Sequence, residues 1–200
     1  MNFPDIKTPF GGFFALVSYV PEPLGPFLDQ LRQSLPGAEF PQAHITLLPP
    51  RPLAVTIHAA SRHAQSVLNR FSAFDVELSA VRKFPETKVL YLDLTDGGET
   101  VRDLHQALNS GDLHYKEPFE FHPHLTLGGP VPDATVGSVQ QEAEILWRSF
   151  HVTRRFAVEE IVGLWASSNG IGLCWQRLWS YNLQPNQTRS ATAGPIGQKL

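Results

Sequence analysis

The sequence predicts an α+β fold made of two matching halves with a cleft between them. Three observations carry this. Short apolar, strand-like runs are interspersed with helix-like segments. Most strands arrive as pairs around a tight turn, which favours antiparallel sheets with helices covering one side. The stretch "HITL", 44–47, returns eighty residues later as "HLTL", 124–127, among similar neighbours.

Taken in order, "FFALVSYV" (13–20) is β-branched and aromatic and is closed by "PEPLGP", so it reads as a strand. In "FLDQLRQSL" (27–35), Phe27, Leu28, Leu31 and Leu35 fall at helical spacing, and Pro36-Gly37 stops the run. "HITLL" is a strand ended by Pro49-Pro50, and a polar helical segment follows over about 55–70. The stretch 74–94 reads as two strands around a turn at 85–88. A helix over 97–110 takes Thr100 as its N-cap and has Gly111 beyond its end. "HPHLTLGG" is again a strand, 134–150 a helix with Val139, Ala143, Leu146 and Trp147 on one side, and 155–183 a strand pair turning at 168–170. The tail, 184–200, has almost no apolar content and reads as disordered.

Each half therefore runs strand, helix, His-x-Thr strand, helix, strand pair. "FDVELSAVRKF" and "FAVEEIVGLWA" hold equivalent places after the two His-x-Thr strands. This is one duplication, not a short-period solenoid, and it makes 1–183 a single domain of two repeated lobes.

Composition narrows the function. The chain of 200 residues is 42% hydrophobic, enough for a real core, and its net charge of −3 speaks against a long grip on duplex nucleic acid. A lone cysteine, Cys174, excludes a disulfide framework and reads as a small buried residue in a reducing compartment. Nothing approaches the roughly eighteen apolar residues of a membrane span, and the N-terminus makes a poor signal peptide. The chain is expected to be cytoplasmic and monomeric.

The repeated motif carries the chemistry. Side chains alternate along a strand, so His44 and Thr46 share one face while Ile45 and Leu47 turn inward. His124 and Thr126 repeat this against Leu125 and Leu127. Two opposed imidazoles suit phosphodiester chemistry, because a neutral one takes a proton from the attacking oxygen and a protonated one gives a proton to the leaving oxygen. The threonine hydroxyls donate to the non-bridging phosphate oxygens. A single His-x-Thr means little; two, flanked by aliphatics at matching sites of a repeat, mean a good deal.

On "HITL" and "HLTL", with "FFALVSYVPEPLGPFLDQLRQSLP", "LSAVRKFPETKVLYLDL" and "VEEIVGLWASSNG", the chain resembles the 2H phosphoesterase superfamily over about 12–182. Within it, the similarity is to the LigT-like group of 2′-5′ RNA ligases and RNA 2′,3′-cyclic phosphodiesterases. The resemblance implies a bilobal LigT-like fold, two pseudo-twofold-related lobes of antiparallel sheet with helices outside, and catalysis without a metal. By position it implies His44, Thr46, His124 and Thr126 as catalytic residues. The partner it implies is a nucleotide or an RNA 3′ end carrying a cyclic phosphate. The alternative is a non-catalytic module that binds nucleotides or RNA ends on the same scaffold.

Other residues are candidates for substrate contact. His122 shares parity with His124. Phe84 and Trp165 sit at corresponding places near the two turns, where an aromatic can stack a base. Arg51, Arg82, Lys83 and Lys88 could meet a phosphate. A zinc reading would recruit His44, His122 and His124, but no acidic or cysteine partner stands at a telling spacing, so no metal or cofactor is expected. His58, His63, His105 and His114 read as surface residues.

Overall fold

A computed structural model describes residues 11–37, 42–168 and 173–186. The turn expected at 168–170 and most of the tail lie outside these residues. The chain continues in place to Asn186, past the expected boundary at 183, and Gln184 bridges to Ser72.

The first strand, β1 (Gly12–Tyr19), is followed by α1 (Leu24–Gln33). The helix begins three residues before the sequence suggests, because Pro23 caps it and Pro26 sits in its first turn. There the missing N–H is no loss, since first-turn donors have no partner within the helix.

Next comes β2 (His44–Arg51), which runs straight through Pro49 and Pro50. The expectation that these prolines end the strand is corrected by position. Strand β2 is at the edge of its sheet, where one side needs no donors. Helix α2 (Ile57–Leu68) is capped by the Thr56 side chain, which accepts from the Ala59 amide at 3.2 Å.

Strands β3 (Phe74–Lys83) and β4 (Leu90–Asp96) form the expected hairpin. Helix α3 (Gly98–Leu108) is capped by Gly97 and not by Thr100, which lies inside it. Gly97 has φ +74, and a side chain there would strike the Asp75 carbonyl. The rest is β5 (His124–Gly128), α4 (Val136–Arg148), β6 (Arg155–Val158), β7 (Glu160–Ser168) and β8 (Leu173–Asn182).

Two antiparallel four-stranded sheets result, ordered β2-β1-β7-β8 and β5-β4-β3-β6. The repeat is visible here, with β1-α1-β2-α2-β3 matched by β4-α3-β5-α4 and then β6 and β7. Its boundary shifts, however. Strand β4 pairs with β3 but is the counterpart of β1, so the pair joins the two halves instead of closing the first. The last strand of the first half, β3, leaves its own sheet to lie beside β4, and the last two of the second, β7 and β8, leave theirs, with β7 beside β1.

The helices cross as well. The Gly129 amide after β5 donates to Pro36 O after α1, and His105 of α3 bonds Leu47 O of β2. One continuous apolar core runs beneath both sheets, from Phe14 and Leu16 through Ile45 and Leu47 to Leu90, Leu92, Leu125 and Leu127.

Cys174 is exposed, against expectation, because it lies on the edge strand β8. Among the described residues no helix is long and apolar enough to cross a membrane.

Candidate active site

Strands β2 and β5 are the inner edges of the two sheets and approach each other where the sheets meet. Their alternation is the one the motif requires. Ile45, Leu47, Leu125 and Leu127 are fully buried, while His44, Thr46, His124 and Thr126 are half-buried on the opposite face. Across each ladder, Tyr19 lies opposite His44 and Val17 opposite Thr46. In the second sheet the corresponding residues are Asp93 opposite His124 and Tyr91 opposite Thr126.

The two imidazoles are held the same way. His44 Nδ1 lies 2.7 Å from Gln42 O, and His124 Nδ1 lies 2.6 Å from His122 O. A carbonyl only accepts, so each Nδ1 carries the proton and each Nε2 presents its lone pair. His124 Nε2 is also 3.1 Å from the Thr126 hydroxyl, which donates to it in this tautomer.

Burial pushes the His44 pKa down to about 4, against the opposing pull of the Gln42 carbonyl, with the charges of Arg32 and His124 acting in the same direction as burial. Burial also lowers His124; the His122 carbonyl resists, the His122 ring adds to the lowering, and the Asp93 carboxylate opposes it. The two rings thus stand on the half-buried faces of β2 and β5, the strands that approach each other where the sheets meet.

An aromatic wall stands on the β5 side. Phe84 stacks on Tyr91 at 4.2 Å and meets His124 edge-on at 5.0 Å and His122 at 5.7 Å. His122 Nε2 is bound to Asp93 Oδ1 at 3.1 Å. Arg82 pairs with Tyr91 across β3 and β4, and its charge reaches the tyrosine hydroxyl.

On the β2 side, Tyr19 meets His44 edge-on at 6.1 Å beside a small apolar patch of Ala15, Val17, Val162 and Leu164. Behind His44, Asp29 Oδ1 accepts from the Ala43 amide at 2.5 Å and lies 3.8 Å from Arg32 Nη1.

Phe84 and His122 thus join the two motifs, and four other candidates do not. Arg51 is 1% exposed, and its guanidinium is occupied by Glu117, Asn109, Leu113 O and Pro49 O. Trp165 lies opposite Phe14 and packs in the main core, filling space that Gly12 leaves by having no side chain. Lys83 is exposed and, one residue from Arg82, sits on the other face of β3. Lys88 pairs with Asp133 at 3.3 Å. His105, expected at the surface, is buried and stacked on Phe121 at 3.7 Å.

Sequence reasoning missed Tyr19, Arg32, Tyr91 and Asp93 as neighbours of the motifs. Tyr91 and Asp93 had a signal, since they alternate with Leu90, Leu92 and Leu94, but only the register of β4 on β5 brings them to His124 and Thr126. Arg32 had one too, as a cation one helical turn beyond Leu28 on an apolar stripe. Among the described residues, no group of three or more His, Cys, Asp or Glu side chains is arranged to hold a metal ion.

Comparisons with known proteins identify the family and the fold. The family model of the 2′-5′ RNA ligase superfamily matches residues 20–170. A protein of Geobacillus sp. (strain WCH70) named "Putative phosphoesterase" is 38% identical over 56 residues, which is 28% of this chain and 32% of that protein; the match thus spans about a third of the relative's length. Escherichia coli LigT complexed with NADP+ superposes with a TM-score of 0.58 at 16% identity, covering 87% of this chain and 98% of LigT. The complex of the same protein with 3′-AMP gives 0.55 at 14%, covering 86% and 98%. TT0787 of Thermus thermophilus gives 0.58 at 16%, covering 88% and 100%. At such identities the structural likeness establishes the fold.

Proposed function

The chain belongs to the 2′-5′ RNA ligase superfamily, and from that premise we propose that it is a metal-independent phosphodiesterase that opens a 2′,3′-cyclic phosphate on a nucleotide or an RNA 3′ end. The observation that carries this reading is the pair of Nδ1-anchored histidines on the two edge strands that approach each other where the sheets meet. Acid–base catalysis needs two groups on opposite sides of the phosphorus, each with a fixed tautomer and one reactive nitrogen. A water oxygen bonds to phosphorus as one Nε2 takes its proton. The bond to a ribose oxygen breaks as the other Nε2–H protonates that oxygen, leaving a monoester.

In this reading Thr46 and Thr126 donate to the non-bridging oxygens, where charge accumulates. Phe84 and Tyr91 offer a stacking surface for a base, and Arg82 a cation beside it. The 3′-AMP and NADP+ complexes of LigT support a nucleotide as the bound group. Ligation of 2′-5′ RNA ends would be the same chemistry in reverse, with a ribose hydroxyl in place of water.

Turnover of nucleoside 2′,3′-cyclic phosphates, and of a short RNA ending in one, tests the reading in the presence of EDTA. Wild type is expected to turn over, and His44→Ala and His124→Ala each to lose about 10²–10⁴ in rate. Loss of wild-type activity in EDTA would overturn the metal-free mechanism. Retained nucleotide affinity with no turnover would mark a binding module instead.

A further inference from the structure

The repeat makes the two histidines equivalent in sequence, and their surroundings make them unequal. Behind His44 stands a cation. Arg32 is 2% exposed, and its Nε and Nη1 atoms are sealed without a hydrogen-bond partner among the described residues. Its nearest anion, Asp29, is shared with the Ala43 amide, so the guanidinium is tied to the root of His44 and its charge is felt there. Its neighbours on the buried stripe of α1 are Leu24, Leu28 and Leu31. Packing alone would be served by a leucine or methionine; what Arg32 adds is charge. Among the described residues, the other titratable groups near His44 include Tyr19 from β1, on which the charge of Arg177 from β8 acts, and His124 from β5.

Behind His124 stands an anion. Asp93 lies opposite it in β4 and grips His122 Nε2, while the carbonyl of that same His122 accepts from His124 Nδ1. The remaining groups on this side are Tyr91 from β4, Arg82 from β3 beyond Tyr91, and His44 from β2. Of these, Asp93 is the one whose charge favours the protonated ring, together with the His122 carbonyl; the His122 ring acts against them.

We propose that Arg32 and Asp93 divide the labour between the two histidines, Arg32 adding to burial in holding His44 neutral as the general base and Asp93, with the His122 carbonyl that accepts from His124 Nδ1, favouring His124 as the general acid. The roles rest on the phosphodiesterase reading above; the inequality of charge does not. Both are positioning residues, acting through the imidazoles. The water proton goes to His44 Nε2, and the proton on His124 Nε2 goes to the departing ribose oxygen. Exchange with solvent restores the starting pair. An anionic phosphodiester entering the cleft raises the proton affinity of both rings, and Asp93 decides which takes the proton first.

The test is an NMR titration of the full chain with isotopically labelled histidine, free of substrate, in wild type, Arg32→Met, Arg32→Lys and Asp93→Asn. His124 is expected to titrate above His44. Arg32→Met raises the His44 midpoint, by about one pH unit on the usual scale for a neighbouring charge, and Arg32→Lys leaves it nearer wild type. Asp93→Asn lowers the His124 midpoint. A His44 midpoint at or above that of His124, or one unmoved in Arg32→Met, would overturn the proposal.

The pH–rate profile gives the second readout. A base must be deprotonated, so Arg32→Met should move the acidic limb to higher pH; an acid must be protonated, so Asp93→Asn should move the alkaline limb to lower pH. Exchange of these limbs would reverse the roles. Thermal melting separates a structural arginine: removing an under-paired buried charge should leave the midpoint unchanged or raise it, and a fall with unmoved titrations would count against us. Should Arg32→Met fail to fold, Asp93→Asn, at a side chain 35% exposed, carries the titration test. Absence of turnover would sink only the substrate reading, because the titrations need no substrate.

Discussion

His44 enters the folded state with its proton affinity reduced, and this has a consequence for stability. Its pKa falls from the ordinary value of about 6.5 to about 4, mainly through burial. Between those values the unfolded chain binds more protons than the folded one, so stability rises with pH across the window. The contribution is fully present above pH 6.5 and is lost as pH falls toward 4. Taken at face value the shift corresponds to about 3 kcal/mol, an upper bound for a half-buried ring. His124 is shifted the same way and adds to it. Urea midpoints between pH 7 and 4 should therefore fall in wild type and fall less in His44→Asn. Equal slopes in both would show that His44 stays well solvated. At this scale the motif itself was legible in the sequence, because strand parity alone assigns His44 and Thr46 to one face. Arg51 was not, because a charge's destination depends on partners such as Glu117 sixty-six residues away.

Elements explain where that arginine went. It ends β2, and its guanidinium joins that strand to the end of α3 through Asn109 and to the following segment through Leu113 O and Glu117. Burial works to raise the Glu117 pKa, but His105 and Arg51 together hold it below the usual carboxylate value. The network pins the far end of β2 while His44 sits at the near end. Breaking one side of such a pair leaves a buried charge uncompensated, so Arg51→Met and Glu117→Gln should each cost about 3–5 kcal/mol in urea unfolding. The double variant Arg51→Met/Glu117→Leu should recover much of that loss, and additive losses would show the pair is not coupled. Strand and helix identities were largely readable from periodicity. Their ends were not, since Pro49-Pro50 reads as a stop unless β2 is known to be an edge, and the Gly97 cap is selected by close approach to Asp75.

At the scale of the whole molecule, the duplication was legible but the exchange within it was not. A repeat seen in sequence suggests two lobes that each fold from one half. The strand order shows the opposite dependence. Sheet β2-β1-β7-β8 takes half its strands from the end of the chain, and β3 finds its partners in β4 and β6. The helices follow suit, α1 meeting β5 and α3 meeting β2. A fragment of residues 1–88 would thus expose the flank of β1 that β7 covers, including Phe14 and Leu16, which are fully buried in the intact chain. A half of that size has little surplus core to lose. The fragment is expected to show no cooperative melting and poor amide dispersion, and adding residues 89–186 in trans should restore both if the halves reassociate. The intact chain should unfold in one transition, with tryptophan fluorescence, to which Trp165 of β7 and Trp147 of α4 (bonded to Ser79 O of β3) contribute, and amide exchange giving the same midpoint. An independently folded first half would mean that β3 and β7 are accessory. The cleft would then be a contact between two finished lobes, and the two histidines could move apart without unfolding. Because each sheet borrows strands from the other half, β7 and β8 in one and β3 in the other, the geometry that brings β2 to β5 is set by the same contacts that hold the molecule together.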